Sequence, residues 1–357
     1  MNSVLIKTST WSLPKKLLAL AGLLSVLFAP LVVTDEYLLH ILITIGLYVV
    51  LTLSLNLVTG YTGQFSMGHA AFYGIGAYIA ALSMLNAGLS FWLAVFLSAV
   101  LTAVFGFFLG LPALRLQGDY LGIVTLGFGE IVRLVFVNWV DVTRGPMGLP
   151  GIPAPQIGSY VFTGKTPYYY LILILVTLTI FTMYRLTNSR LGLGLVTVRE
   201  DEVAASAIGI NTTKLKLMAF TIGAFFAGIT GAFYASYISF ISPDSFMFID
   251  SVTILAMVVL GGMGSIPGSL IGATVLVIAP EILRFLADYR MLLYGLMMIV
   301  MMIYKPEGFW GAHKRTKNSW QRGLLRRRGK CLIRNLPPVL FLFTQSWPSF
   351  LPLLPKK

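Results

Sequence analysis

The residues that could do chemistry in this chain are few. Cys331 is its only cysteine, so no intrachain disulfide and no thiolate cluster can form. His40, His69 and His313 stand too far apart to make a local metal motif, and no metal site is expected. One stretch, Gly158-Ser159-Tyr160-Val161-Phe162-Thr163-Gly164-Lys165-Thr166, resembles a phosphate-binding loop. It places five residues between its glycines where the motif needs four, and Pro167 and three tyrosines follow in place of a clean helix start. The chain therefore lacks that route to ATP hydrolysis, and no catalytic residue or cofactor is expected on it. An ATP-driven process would need its engine on another polypeptide.

Charges inside apolar runs come next. Glu130 and Arg133 lie within the apolar run 120–140, where each would cost about 2.5–3.5 kcal/mol at the centre of a bilayer. Their i, i+3 spacing puts them on one helix face, either as an intrahelical pair or as polar lining of a solute route. Glu281, Arg284 and Asp288 repeat the pattern near a membrane boundary, where long side chains snorkel to the interface. His69 follows a glycine-rich break and reads as a hydrogen-bonded packing residue rather than a proton relay. The residues expected along a solute pathway are Asn56, Tyr61, Gln64, Ser66, His69 and Glu130.

Two glycine-rich interruptions stand out, one in each half. The first runs through Gly60, Gly63 and Gly68, the second through Gly261, Gly262, Gly264 and Gly268. Unwound backbone at membrane depth survives only where protein buries it or a wet cavity solvates it. A pair of interrupted segments in corresponding halves is what internal repeats in transporters produce, and it points at the pathway. Close helix packing through small residues is the compatible alternative.

The elements that must hold these residues are membrane spans. Of 357 residues 57% are hydrophobic and 11% charged, against roughly 25% charged in soluble domains. Apolar runs fall near Leu17 to Val33, Leu38 to Val58, Ala70 to Leu85, Phe91 to Leu111, Tyr120 to Val140, Tyr168 to Tyr184, Leu215 to Phe240, Ser251 to Leu260, Ser269 to Leu286 and Met291 to Tyr304. No small-residue cleavage site follows the first run, so it reads as a retained helix.

Lysine and arginine mark the cytoplasmic loops. Three lysines precede the first span, none flanks Asp35-Glu36, five basic residues occupy 185–216, and none lies in 244–250. The net charge of +13 is concentrated beyond residue 312, where 11 basic and no acidic residues occur, against 15 basic and 13 acidic before it. A basic tail after a hydrophobic bundle reads as cytoplasmic and not as a nucleic-acid site. With both termini inside, the number of crossings is even, which requires 251–286 to be two elements broken at its glycines. The expected fold is thus an all-α polytopic membrane protein of about ten transmembrane segments with internal repeats and glycine-broken helices. Residues 1–16 form a cytoplasmic N-terminus, 17–312 the transmembrane domain, and 313–357 a basic tail that Pro337, Pro338, Pro348, Pro352 and Pro355 make a poor helix and poorly ordered. The loop 139–167 is too long for a minimal turn and either caps the bundle or docks a solute-delivering protein.

In the cytoplasmic stretch Arg199-Glu200-Asp201-Glu202-Val203-Ala204-Ala205-Ser206-Ala207-Ile208-Gly209, acidic residues precede an alanine-rich run stopped by glycine, the signature of a short helix. Glu202, Ala204, Ala205 and Gly209 resemble the coupling motif of bacterial ABC importer permeases, with Val203 departing from it. Together with Thr52 to Val58 leading into Gly60 to Tyr78, the loop Gly145 to Pro153, and Gly261 to Gly268, the chain resembles the branched-chain amino acid permease family, in particular its LivM-type subunits, over about 37–311. That resemblance implies a subunit of a bacterial inner-membrane importer without ATPase activity of its own. Its partners would be a second related permease, two ATPase subunits that bind ATP and Mg, and an extracytoplasmic solute-binding protein. The solute would be leucine, isoleucine or valine, or within related permeases urea, short amides or a sugar. An ion-coupled secondary transporter is the reading from another class.

Overall fold

The computed structural model describes residues 35–113, 116, 118–158 and 160–282, with 30, 295, 296, 299, 304 and 308–310. The chain divides into two units, Met1–Gly311 and Ala312–Lys357. The second unit, which carries the basic tail, lies outside the described residues, as do the N-terminal lysines, Arg284 and Asp288. The expected first and last spans fall almost wholly outside them too.

Helix α1, Glu36–Asn56, opens on Asp35, whose carboxylate accepts the Tyr37 N–H at 2.9 Å and satisfies a donor that the first turn leaves free. It runs without a loop into a π-helical turn, Leu57–Tyr61. Beyond an open stretch come α2, His69–Leu85, α3, Phe91–Ala113, α4, Asp119–Asn138, and the single turn α5, Val140–Thr143. Then follow α6, Lys165–Thr187, α7, Arg190–Glu200, α8, Glu202–Ala207, α9, Thr212–Ile238, α10, Phe248–Gly261, and α11, Ile266–Ile282. Among the described residues six helical stretches are long and apolar enough to cross a membrane, and His69–Leu85 and Ile266–Glu281 are shorter apolar helices. These stand where eight of the ten sequence-derived spans were placed.

Helix α9 is the spine, a rod of roughly 40 Å that packs chiefly on α2 and α3. Its small residues make this possible. A side chain at Gly231 would meet the backbone of Tyr73 and Ala77, and one at Gly76 would meet Gly228. The Ser98 hydroxyl lies 2.8 Å from the Gly76 carbonyl and 2.9 Å from that of Gly228, tying α2, α3 and α9 at their closest approach. Such packing replaces the hydrophobic drive that lipid removes. The outer faces of α3 and α6 present Phe96, Phe105, Phe108, Ile174, Leu178 and Phe181, an apolar surface suited to acyl chains.

The ends of the bundle follow from polar ties. The Tyr37 hydroxyl bonds the Glu281 carboxylate and Lys165 Nζ donates to the Glu36 carbonyl at 3.0 Å, so α1 and α6 begin, and α11 ends, on one face. The long 139–167 segment covers that end. Its strand β1, Leu149–Pro150, pairs antiparallel with β4, Phe240–Ile241, after α9, while β2, Gln156–Ile157, pairs with β3, Tyr160–Val161. Ser236 donates to the Pro153 carbonyl at 2.8 Å and Trp92 Nε1 to that of Gln156 at 3.0 Å, which anchors the segment over α9 and α3.

Candidate functional site

The second glycine break is the turn between α10 and α11. The limbs form an antiparallel hairpin so close that a side chain at Gly261 would strike the Gly268 backbone, and one at Gly272 the Met257 carbonyl. Asn56 of α1 clasps the turn. Its Oδ1 accepts the Gly264 N–H at 2.8 Å, while its Nδ2 donates to the Ser265 carbonyl at 3.1 Å and to Ser269 Oγ at 2.8 Å. The Leu260 and Gly261 carbonyls, left without helical partners, accept the N–H groups of Phe309 at 2.8 Å and Trp310 at 3.0 Å. Gly262, with φ +117°, makes a turn that an L side chain would strain.

The first break follows the π turn of α1. A side chain at Gly60 would collide with the Asn56 amide and the Gly264 backbone, so the two breaks touch. Gly68 lies against the Thr125 carbonyl of α4, and Thr125 Oγ1 accepts the Met67 N–H at 2.9 Å. Thr62 donates to the Val58 carbonyl, and the Gln64 N–H reaches the same carbonyl at 3.2 Å. Thr59 Oγ1 and Gln64 Nε2 are buried without a hydrogen-bond partner among the described residues. The Gly60 carbonyl is taken by Arg199 Nη1 at 2.7 Å, across 139 residues of sequence. Tyr61 is half-buried and Ser66 fully buried nearby.

His69, the first residue of α2, is buried with its Nε2 2.7 Å from Ser54 Oγ. Ser54 donates its proton to the Leu51 carbonyl at 2.8 Å, so the imidazole is the donor in this pair, a packing bond between α1 and α2. Glu130 and Arg133 pair at 3.0 Å on α4, with side chains 37% and 30% exposed. Among the described residues no three His, Cys, Asp or Glu side chains gather as a metal site would need.

The acidic–alanine stretch folds as two short helices joined through one extended residue, Asp201. The Asp201 carboxylate caps α8, accepting the Val203 and Ala204 N–H groups at 2.9 Å each. The motif residues divide by direction. Ala205 is fully buried, and Glu202 meets Lys216 Nζ of α9 at 2.6 Å, the lysine side chain only 5% exposed. Gly209, with φ +82°, ends the helix in a conformation that suits glycine. Ala204 is exposed, and beside it Val203 and Ile208 stand 79% and 71% exposed. Sequence reasoning passed over those two. Val203 read as a departure from the motif and Ile208 was given no role, although two branched apolar residues in a polar loop are themselves a signal. Between this segment and the first break opens a polar cleft of about 230 Å³, walled by Thr62, Gln64, Leu121, Arg199, Asp201 and Lys216.

Comparison with known proteins accords with this arrangement. Residues 37–302 match the family model described as branched-chain amino acid transport system / permease component. The chain is 41% identical over 285 residues to the high-affinity branched-chain amino acid transport system permease protein LivM of Salmonella typhimurium, covering 73% of this chain and 67% of that one. It is 40% identical to LivM of Escherichia coli over the same length and the same shares. LivH of Salmonella typhimurium, a permease protein of the same-named system, is 28% identical over 292 residues, 75% of this chain and 93% of that one. No solved structure matches. A helical bundle with glycine-rich turns at its heart accords with those matches, and the chain belongs to the branched-chain amino acid transport system permease family as a multi-pass membrane transport subunit.

Proposed function

We propose that this chain is one permease half of an ABC importer that carries leucine, isoleucine and valine across a bacterial inner membrane. ATP and Mg are bound by two ATPase subunits, and the solute arrives on an extracytoplasmic binding protein over the 139–167 cap. In this reading the chain crosses the membrane ten times between 17 and 312, with 1–16 and 313–357 cytoplasmic. The substrate assignment rests on the printed functions of its relatives. That two permease proteins of one named system, LivM and LivH, both resemble this chain supports a second, related permease as partner.

The observation that carries the reading is α8. Glu202 and Ala205 fix the helix to the bundle while the Asp201 cap holds its first turn, and that fixing turns Val203, Ala204 and Ile208 outward. An exposed branched apolar pair on a rigid, buried anchor is a knob for a partner's groove. The partner is the ATPase, because α8 sits at the bundle end opposite to the extracytoplasmic cap. On α4, Glu130 and Arg133 remain partly exposed at mid-helix, where hydrocarbon cannot solvate them. That face packs on the second permease and lines the route with polar groups.

The test is V203D together with I208D in the complete importer. Both positions face solvent, so the bundle tolerates them. Copurification of the ATPase and leucine uptake should fall at least about tenfold, as for loss of an interface hot spot. Full retention of both would remove the docking assignment.

A further inference from the structure

The geometry points to Arg199 as a positioning residue for transport: it is the strut that links the ATPase-facing helix to the first glycine break, and that break is the one that moves. The inference rests on α8 being the docking helix, and four observations carry it.

The first is continuity. Arg199 lies in the last turn of α7, and Asp201 alone separates that helix from α8. Asp201 is extended, with φ −160° and ψ 111°, and its side chain is fastened to the first turn of α8. Displacement of α8 therefore reaches Arg199 with little slack. The second is the bond itself. Arg199 Nη1 donates to the Gly60 carbonyl at 2.7 Å while Nη2 holds Glu200 at 2.9 Å. The contact is a charge-assisted bond to a carbonyl in the π-helical turn that ends α1, a stronger tie than a neutral one. Gly63 accommodates the strut, since a Cβ there would lie 2.8 Å from Arg199 Cγ.

The third is the state of the side chains beside the carbonyl that the strut holds. Thr59 and Gln64, on either side of Gly60, keep buried polar atoms without partners among the described residues. Buried unpaired groups are scarce in folded proteins and ask for an explanation, which a second arrangement of this segment would supply. In the Asn56-clasped turn next to it the Gly264 N–H and the Leu260, Gly261 and Ser265 carbonyls are bonded. The fourth is room. The cleft of about 230 Å³ between the break and the α7–α8 junction leaves space for the loop 62–64 to shift without expelling core residues.

The experiment uses the assembled importer in proteoliposomes, with Cys331→Ser and a reporter at Thr59→Cys, a near-isosteric change at a hydroxyl that bonds nothing among the described residues. Thiol reactivity is compared between the nucleotide-free and vanadate-trapped states, and leucine moved per ATP hydrolysed is measured in parallel. With Arg199 present, reactivity should differ between the states by roughly fivefold or more, reporting a break that rearranges. R199M, which keeps the stem and removes the donors, should abolish that difference and cut leucine per ATP about tenfold while ATP hydrolysis continues. R199K, which can still donate to the Gly60 carbonyl, should stay within about threefold of arginine. Unchanged leucine per ATP in R199M, or a state difference that persists in it, overturns the strut. If R199M fails to assemble, R199Q is judged by the same two readouts. An importer whose ATPase stays docked on V203D and I208D has lost the parent reading, whereas intact docking with an indifferent R199M removes only the strut.

Discussion

Around Gly261–Gly268 the freed backbone is tied by Asn56 from one side and by Phe309 and Trp310 from the other, whereas around Gly60–Gly68 two buried side-chain atoms have no partner among the described residues and one arginine, 139 residues away in sequence, holds the Gly60 carbonyl. The two regions share a residue type and touch at Gly60 and Gly264. Glycine in both removes the side chain that would prevent close approach. What differs is polar satisfaction. A turn whose groups are bonded resists rearrangement, because each bond lost strands a partner in a dry interior. A turn with spare donors and acceptors exchanges arrangements at less cost. One break behaves as a hinge post and the other as the hinge leaf.

The largest effect expected from breaking this contrast is at the clasp. N56A leaves the Gly264 N–H without its acceptor and takes a donor from the Ser265 carbonyl and from Ser269 Oγ, which still bond each other, and should cost about 3 kcal/mol. Thermal unfolding of the detergent-solubilised protein measures it, and a melting point within a degree or two of the parent would show that the clasp is not what fixes the second turn. Next comes the anchor of the arm that reaches the first break. E202A leaves Lys216, 5% exposed, without this carboxylate and should cost about 3 kcal/mol. Proteolysis in the 201–211 segment should rise in step, and an unchanged cleavage rate would deny that the ion pair holds α8 in place.

The smallest effect is the most discriminating. T59V removes a hydroxyl without a partner among the described residues and should leave stability within about 1 kcal/mol of the parent or raise it. S269A, a comparable deletion in the second break, removes a bonded hydroxyl and should destabilise. Equal losses from the two substitutions would erase the distinction between the breaks.

Much of the scaffold was legible in the sequence, because a bilayer requires long apolar runs and those cannot be hidden. The broken element at 251–286 followed from its short first limb and from counting charges on loops. The short helix α8 followed from acids before alanines and a glycine stop. The direction of its residues did not. Whether Glu202 points to a partner or to the bundle depends on Lys216, fourteen positions away and buried on another helix. Asn56 illustrates the same limit. An asparagine in an apolar run is a candidate for contacting solute, and the structure engages its amide with the backbone and side chain of the opposite break.

Composition and periodicity by themselves determined that this chain lies in a membrane, where its long apolar helices run to within a few residues, and where they are interrupted, since each of those follows from local hydropathy and backbone freedom. Tertiary structure alone decided that the two interruptions meet, that one is clasped and the other held by Arg199, and which side of α8 faces outward. Hydrogen bonds between groups 139 or 208 residues apart leave no local trace. They are fixed only when the packing of α9 against its neighbours brings the breaks to one place.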